Sequence, residues 1–300
     1  METSTYRIGH VYICITMPED MPRPENLSRF LAKYEEKEEF SGEERIHYTL
    51  EYTDDISTIQ EDVQKEQLSD KKIIRENLCV FYTQTGECRC IYLFGASKPY
   101  AISSQRGEYE YHVWIDSQIK EMLTYDTVFV AMLSLERHMI QKDAMILHSA
   151  YMCYHNTAVL FSAPSETGKS TQASLWEKYR GTRTINGDRS LLIREKGSWY
   201  AYGWPVCGSS EVCENEVYPI RAIVMLRQAK TNQVYPLTGF QAVREIMEQI
   251  TINSWNTDFQ IKVMDQLEQL IQEVPVYRLE CDISEQAVEC LEQRLEMGEK

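Results

Sequence analysis

Apolar and polar residues alternate over 6–16, with Val11, Ile13 and Ile15 on one face and Tyr12 and Cys14 on the other. A period of two is that of a strand. Prolines and acids fill 17–24, which reads as a loop. Leu27, Phe30, Leu31 and Tyr34 recur at helical spacing, so a short helix is expected within 26–40. A strand is expected over 46–52, and the charged stretch 61–72 reads as solvated surface. Strands over 78–82 and 90–94 flank Thr85-Gly86-Glu87, a hairpin signal. A short strand over 100–103 precedes 109–115, where Tyr109, Tyr111, Val113 and Ile115 alternate with Glu110, His112 and Trp114. These segments predict an antiparallel meander closing a β-rich domain over 1–117, with a role in substrate or partner recognition. Its aromatic residues serve core and sheet surface, a stacking platform being the alternative.

The pattern changes beyond residue 117. Apolar residues from Ile119 to Met139 predict one or two helices with a wide buried face over 118–141. A strand over 145–148 and a hairpin turn within 151–156, at His155-Asn156, lead into the apolar run Ala158-Val159-Leu160-Phe161. Gly181 ends the following helix. Strands at 191–193 and 199–202 flank Lys196-Gly197, a buried strand is expected at 222–226, and Thr238 and Thr257 open capping boxes with Gln241 and Gln260. A strand over 276–279 and an amphipathic helix over 285–297 complete the chain. Alternating strands and helices make 118–300 an α/β domain, and the hairpins make its sheet mixed.

The stretch 157–171, Thr-Ala-Val-Leu-Phe-Ser-Ala-Pro-Ser-Glu-Thr-Gly-Lys-Ser-Thr, is the chemical centre of that domain. It meets the phosphate-loop pattern G-x-x-x-x-G-K-[ST] at every fixed position but the first, where Ala163 replaces glycine and demands a negative φ. Backbone N–H groups of Glu166 to Ser170 can form an anion nest at a helix start. Gly168 permits close approach to a phosphate oxygen, Lys169 supplies a point charge, and the Ser170 hydroxyl can bind Mg²⁺. The nucleotide-binding set is Ser165, Glu166, Thr167, Gly168, Lys169, Ser170 and Thr171. The competing reading is an ordinary polar turn capped by Ser170.

Phosphoryl transfer also needs a carboxylate to hold the metal and a means of activating the acceptor. Asp188 is the candidate for both. It follows 184–186, which reads as the strand beside the phosphate-loop strand; a turn-forming Asp in Asn-Gly-Asp is the alternative. His148, one strand upstream, could hydrogen-bond Asp188 or the transferring phosphate, or serve only as a structural strand-end histidine.

The formal net charge of −15 over 300 residues argues against an electrostatic grip on nucleic acid or an anionic membrane. No signal peptide and no membrane-length apolar run is expected. Nine cysteines, odd in number and scattered, suit a reducing cytoplasm rather than a disulfide framework. Cys88 with Cys90, and Cys207 with Cys213, do not complete a four-ligand zinc pattern.

The set Leu147-His148-Ser149-Ala150, the loop 160–171, Asn186-Gly187-Asp188 and Gly203-Trp204-Pro205 resembles the bacterial HPr kinase-like proteins, which share a P-loop fold with phosphoenolpyruvate carboxykinase. The resemblance covers 147–226 and extends loosely beyond. It implies an α/β P-loop kinase domain with a mixed sheet of that type, and ATP- and Mg²⁺-dependent phosphorylation of a serine-type hydroxyl on a peptide, protein or small molecule. By the same resemblance Lys169 and the loop amides hold phosphates, Ser170 and Asp188 hold Mg²⁺, and Asp188, His148 and Lys169 carry catalysis. HPr kinases have two adjacent aspartates where this chain has Gly187-Asp188, so Asp188 takes both jobs, or Glu211 or Glu214 enters from the next loop. A non-catalytic nucleotide-binding module that gates a partner is the alternative. Carboxykinase chemistry would need a further metal set and substrate arginines that the sequence does not supply.

Overall fold

The computed structural model describes residues 1–33 and 45–297. The chain is mixed α/β and divides into two compact units, 1–135 and 136–300.

The first unit is built on one eight-stranded sheet, formed by β1 (Glu2–Ile8), β2 (Val11–Met17), β3 (Arg45–Thr53), β4 (Lys72–Arg75), β5 (Leu78–Thr83), β6 (Gly86–Ile91), β7 (Ala101–Gln105) and β8 (Glu110–Asp116). Its order is β1-β2-β3-β8-β7-β6-β5-β4. From β4 to β8 it is the expected antiparallel meander, but β3 pairs parallel with both β2 and β8. The stretch 6–16 is two strands rather than one, because the chain turns back at Gly9-His10 and pairs Ile8 with Val11. The second meander strand starts at Gly86, since the turn is Gln84-Thr85 and Thr83 faces Gly86.

The expected helix over 26–40 reduces to Glu25–Ser28, and its later part, 34–40, lies outside the described residues. The stretch 61–72 is not plain solvated surface. A helix, Ile56–Lys65, is capped by the Asp55 side chain and buries Ile56 and Val63 on the sheet, where periodicity alone was masked by its charged outer face.

The unit boundary falls at 135/136 rather than 117/118. The segment after 117 packs on the first sheet: the Tyr48 hydroxyl donates to the Leu133 carbonyl (2.5 Å) and the Tyr100 hydroxyl to the Val128 carbonyl (3.0 Å). That segment is a 3₁₀ turn (Ser117–Thr124) and a helix (Asp126–Leu133), parted by Tyr125 in extended conformation.

The second unit holds β9 (Ala144–Tyr154), β10 (Thr157–Ser162), β11 (Arg183–Asn186), β12 (Arg189–Glu195), β13 (Ser198–Tyr202), β14 (Val217–Gln228), β15 (Gln233–Leu237) and β16 (Val276–Cys281). The sheet runs β10-β9-β12-β13-β14-β16-β15, and β14 also pairs parallel with β10, so the path closes on itself. β9 is one long strand: His155 and Asn156, both left-handed at φ 49° and 58°, make the turn, and 151–154 belong to the ladder. β11 pairs with β9 and not, as expected, with the phosphate-loop strand β10. Thr238 offers no side-chain cap to its helix, Gly239–Met247, and the cap of Thr257–Glu273 is the Asn256 side chain.

Two apolar layers cover the sheet. Leu160, Ile223 and Met225 pack under the helices Gly239–Met247 and Thr257–Glu273 through Ala242, Ile246, Phe259 and Val263. Phe161, Val224 and Leu279 pack on the other side under Lys169–Arg180 and Glu285–Met297 through Ala173, Trp176, Val288 and Leu291. The strand β10, apolar over 158–161 and buried from Ala158 to Ser162, is therefore clamped from both faces, and its C-terminal end emerges at a fixed point.

Candidate functional site

That end is Ala163, where the loop begins. Ala163 is buried and keeps a negative φ, as its Cβ requires. The loop then alternates: Glu166 is left-handed at φ 65°, Thr167 is not, and Gly168 is again positive at φ 112° before the helix Lys169–Arg180 starts. Alternating right- and left-handed residues turn successive N–H groups to one side, the geometry of an anion nest. The first amides of a helix have no preceding carbonyl to bond, so this nest sits on unsatisfied donors and on the positive end of the helix dipole. The Gln228 side-chain amide donates to the Glu166 and Thr167 carbonyls (3.5 and 3.3 Å), holding them away from the nest. Ser165, Glu166, Ser170 and Thr171 are exposed, and Thr167 and Gly168 are half-buried.

Lys169 is different. Only 7% exposed, its ammonium donates to the carbonyls of Ala163 (3.1 Å) and Pro164 (3.4 Å), back across the loop. Burial pulls its pKa below the ordinary lysine value, Asp188 opposes that and Arg189 adds to it. A buried cation whose hydrogen bonds go to carbonyls, with the Asp188 charge only partly offsetting burial, is incompletely compensated, and an anion in the nest would complete its environment.

Asp188 lies in the turn between β11 and β12, positioned by Asn186. Asn186 is fully buried; its amide donates to the carbonyls of Trp204 (2.8 Å) and Val206 (3.0 Å), and its Oδ1 accepts from the N–H of Asp188 (2.9 Å) and Arg189 (2.8 Å). One side chain thereby ties the Gly203-Trp204-Pro205 loop to the Asp188 turn. The Asp188 carbonyl accepts from the Ser149 N–H at 2.9 Å, fixing the turn against β9. Its carboxylate meets His148 Nε2 at 3.2 Å through Oδ1 and Arg189 Nε at 3.2 Å through Oδ2. Burial would raise the Asp188 pKa, but the His148 hydrogen bond and the charges of Arg189, His148 and Lys169 outweigh it and hold it below the ordinary value.

His148 is itself anchored: its N–H donates to the Gln249 carbonyl (2.9 Å), and its carbonyl accepts from the Ser162 hydroxyl (2.8 Å) at the foot of the loop. Lys169, Asp188 and His148, from three separate stretches of chain, thus stand in one electrostatic cluster. Arg189, which the sequence reading passed over, is a fourth member; its only sequence signal was its place directly after Asp188.

In the loop 203–214, Glu211 is exposed in left-handed conformation, and the residue the loop lays against the Asp188 carboxyl is Gly208. A Cβ at Gly187 would lie 2.0 Å from Ser210 Oγ and 2.2 Å from its Cβ, so Ser210 fills the space an acidic side chain would need.

Residues 114–296 match the family described as SynChlorMet cassette protein ScmC. The chain belongs to the ScmC family. The matched region contains the whole loop, Lys169, Asp188 and His148. No match to a curated protein accompanies it. Among solved structures, the HPr(Ser) kinase/phosphatase from Coxiella burnetii aligns over 51% of this ScmC-family chain and 98% of its own, with 11% identity and a TM-score of 0.32. So distant a likeness carries no argument about the site.

The nest and the buried Lys169 cation fit a phosphate group by their own chemistry, and the facing Asp188 carboxylate fits a cation bound beside it. Among the described residues no three His, Cys, Asp or Glu side chains converge as a metal cage. A metal here would rest on Asp188, the Ser170 hydroxyl and phosphate oxygens, the sparse protein ligation that Mg²⁺ accepts. Also among the described residues, no helix is long and apolar enough to cross a membrane.

Proposed function

We propose that the second unit is a P-loop kinase domain of the HPr kinase-like type, transferring the γ-phosphate of ATP to a serine-type hydroxyl of a peptide, protein or small molecule. The observation that carries this reading is the convergence of Lys169 and the loop's alternating φ angles with the His148–Asp188–Arg189 cluster.

Bound ATP would supply the phosphoryl group and Mg²⁺ would neutralise its oxygens. The loop amides and Lys169 hold phosphate and stabilise charge moving onto the leaving oxygen. Asp188, ionised at neutral pH, would hold the metal and orient the acceptor hydroxyl. As the new O–P bond forms and the bond to ADP breaks, the hydroxyl proton passes to the Asp188 carboxylate, and the electron pair leaves with ADP. A depressed pKa makes Asp188 a weak base, which a loose phosphoryl transition state tolerates because proton removal can come late. His148 orients the carboxylate through its 3.2 Å contact. All nine cysteines are free thiols, which fits the proposed cytoplasmic setting.

The test is transfer from γ-labelled ATP with Mg²⁺ to peptide, protein and small-molecule acceptor pools. Labelling of a discrete acceptor is expected; folded, ATP-binding protein that labels none would sink the enzyme reading. One observation favours a second reading, a nucleotide-gated binding module: Ser210 occupies the space of the second acid. In that case ATP-dependent partner capture would survive Asp188→Ala.

A further inference from the structure

The loop 203–214 is pinned to the Asp188 turn at both of its ends. The Asn186 amide holds the Trp204 and Val206 carbonyls, the Gly187 N–H donates to the Val212 carbonyl (3.2 Å), and the Glu214 N–H donates to the Ile185 carbonyl (2.8 Å). The middle of the loop is a single 3₁₀ turn, Gly208–Ser210. Gly208 is left-handed at φ 57°, and a Cβ there would lie 3.3 Å from the Asp188 carboxyl carbon and 3.4 Å from its Oδ1. The backbone of a Gly-Ser-Ser turn is thus laid directly on the carboxylate proposed to activate the acceptor hydroxyl.

The two serines of that turn differ. Ser210 is half-buried, and its hydroxyl donates to the Cys207 carbonyl (2.7 Å) and accepts from the Val212 N–H (3.3 Å), so it belongs to the scaffold of the turn. Ser209 is exposed and follows Gly208 directly. Consecutive Cα atoms are about 3.8 Å apart, which keeps the Ser209 Cα within about 9 Å of the Asp188 carboxyl carbon. An exposed side chain of this kind changes rotamer within nanoseconds. Asp188 and the Lys169 ammonium at the phosphate nest each feel the other's charge, so a hydroxyl brought to Asp188 is also brought to the phosphate side of the site. A hydroxyl tethered there meets the site at an effective concentration on the order of millimolar or higher, ahead of most free acceptors.

We propose that Ser209 is a modification site, and that the protein phosphorylates its own loop at the Ser209 hydroxyl, within one chain. The proposal rests on the kinase reading for the phosphoryl group, and on the Gly208–Asp188 contact for the choice of residue. The Ser209 oxygen attacks the γ-phosphorus of ATP. As the new O–P bond forms, the bond from that phosphorus to the bridging oxygen breaks and its electron pair leaves with ADP. The hydroxyl proton passes to the Asp188 carboxylate, and the loop is left carrying a phosphate ester.

The test is incubation of the full-length protein with γ-labelled ATP and Mg²⁺ and no other acceptor, followed by mass spectrometry of its peptides. A phosphate on Ser209 is expected, with a fractional rate independent of protein concentration because transfer stays within one chain. Ser209→Ala should abolish the label and keep the parental melting temperature and ATP-Mg²⁺ binding, since the side chain is exposed. Asp188→Asn should slow labelling at least ~10²-fold, and Lys169→Ala should abolish it. Label on Ser210 or elsewhere, a fractional rate that rises with protein concentration, or parental labelling in Lys169→Ala, the mark of a contaminating kinase, each overturns the inference. Labelling of an added acceptor with none on the chain itself overturns it and leaves the kinase reading standing. Protein that binds ATP-Mg²⁺ yet labels neither itself nor any added acceptor overturns both.

Discussion

Asn186 makes four hydrogen bonds from a fully buried position, two given and two accepted. Asn186→Ala would remove these four bonds, and the Trp204 carbonyl alone would keep a second donor, the Cys213 thiol. At about 1–3 kcal/mol each, softened by relaxation, a loss on the order of 3–5 kcal/mol is expected in urea unfolding, with the Asp188 turn loosened. Lys169 and Asp188 separate binding from chemistry. Lys169→Ala should weaken ATP binding and abolish transfer. Asp188→Asn should keep the fold and most nucleotide binding, yet cost at least ~10²-fold in kcat. The two losses should not add, since both act on one transferring group. Parental rates in Asp188→Asn would reduce Asp188 to a turn residue. The Asp188 carboxyl also sets a pH window. Its folded pKa is depressed, so its stabilising contribution is complete above the ordinary value of 3.8 and is lost as pH falls through the lower folded value. The stability margin of the parent over Asp188→Asn should therefore be constant above about that pH and shrink below it, read from acid unfolding of the two proteins.

At the scale of elements, the loop 163–168 places Glu166 and Gly168 in backbone conformations that most residues avoid, while the turn at 186–189 keeps ordinary φ angles. Gly168→Ala meets no atom within 4 Å, so its cost is the φ of 112° alone. That cost should be about 1–3 kcal/mol in stability, accompanied by weaker phosphate binding. Gly187→Asp is the opposite case: its backbone is ordinary but its Cβ strikes Ser210. The single substitution should destabilise, and pairing it with Ser210→Gly should recover most of the loss. If the double variant gains transfer rate, Ser210 marks where this chain departs from the two-acid arrangement. If Gly187→Asp melts at the parental temperature, the close approach of Ser210 is not a constraint.

At the scale of the molecule, two units each enclose their own apolar core, so heating should give two transitions rather than one. ATP with Mg²⁺ should move only the transition of 136–300, by about 2.7 kcal/mol at a hundredfold excess over Kd. A shift of both transitions together would mean that the units unfold as one.

Much of this was legible in the chain. The strand–loop–helix at 157–180, the meander strands, the hairpin at Lys196-Gly197 and the terminal helix follow from periodicity and from turn residues, which are local properties. Local signals also nominated Lys169, Asp188 and His148, which the fold brings into one cluster. They failed where the deciding partner is distant. The helix Ile56–Lys65 has a charged exterior and shows its apolar side only against the sheet. The segment 118–135 belongs to the first unit because Tyr48 and Tyr100 bond its carbonyls. The neighbour of β11 is β9, a matter of pairing across more than thirty residues. Composition and spacing can nominate an acid or a lysine, but they carry no account of what stands opposite it. Only the folded chain sets His148 on Asp188 and Ser210 in the space above Gly187, because those contacts are made by packing between segments far apart in sequence.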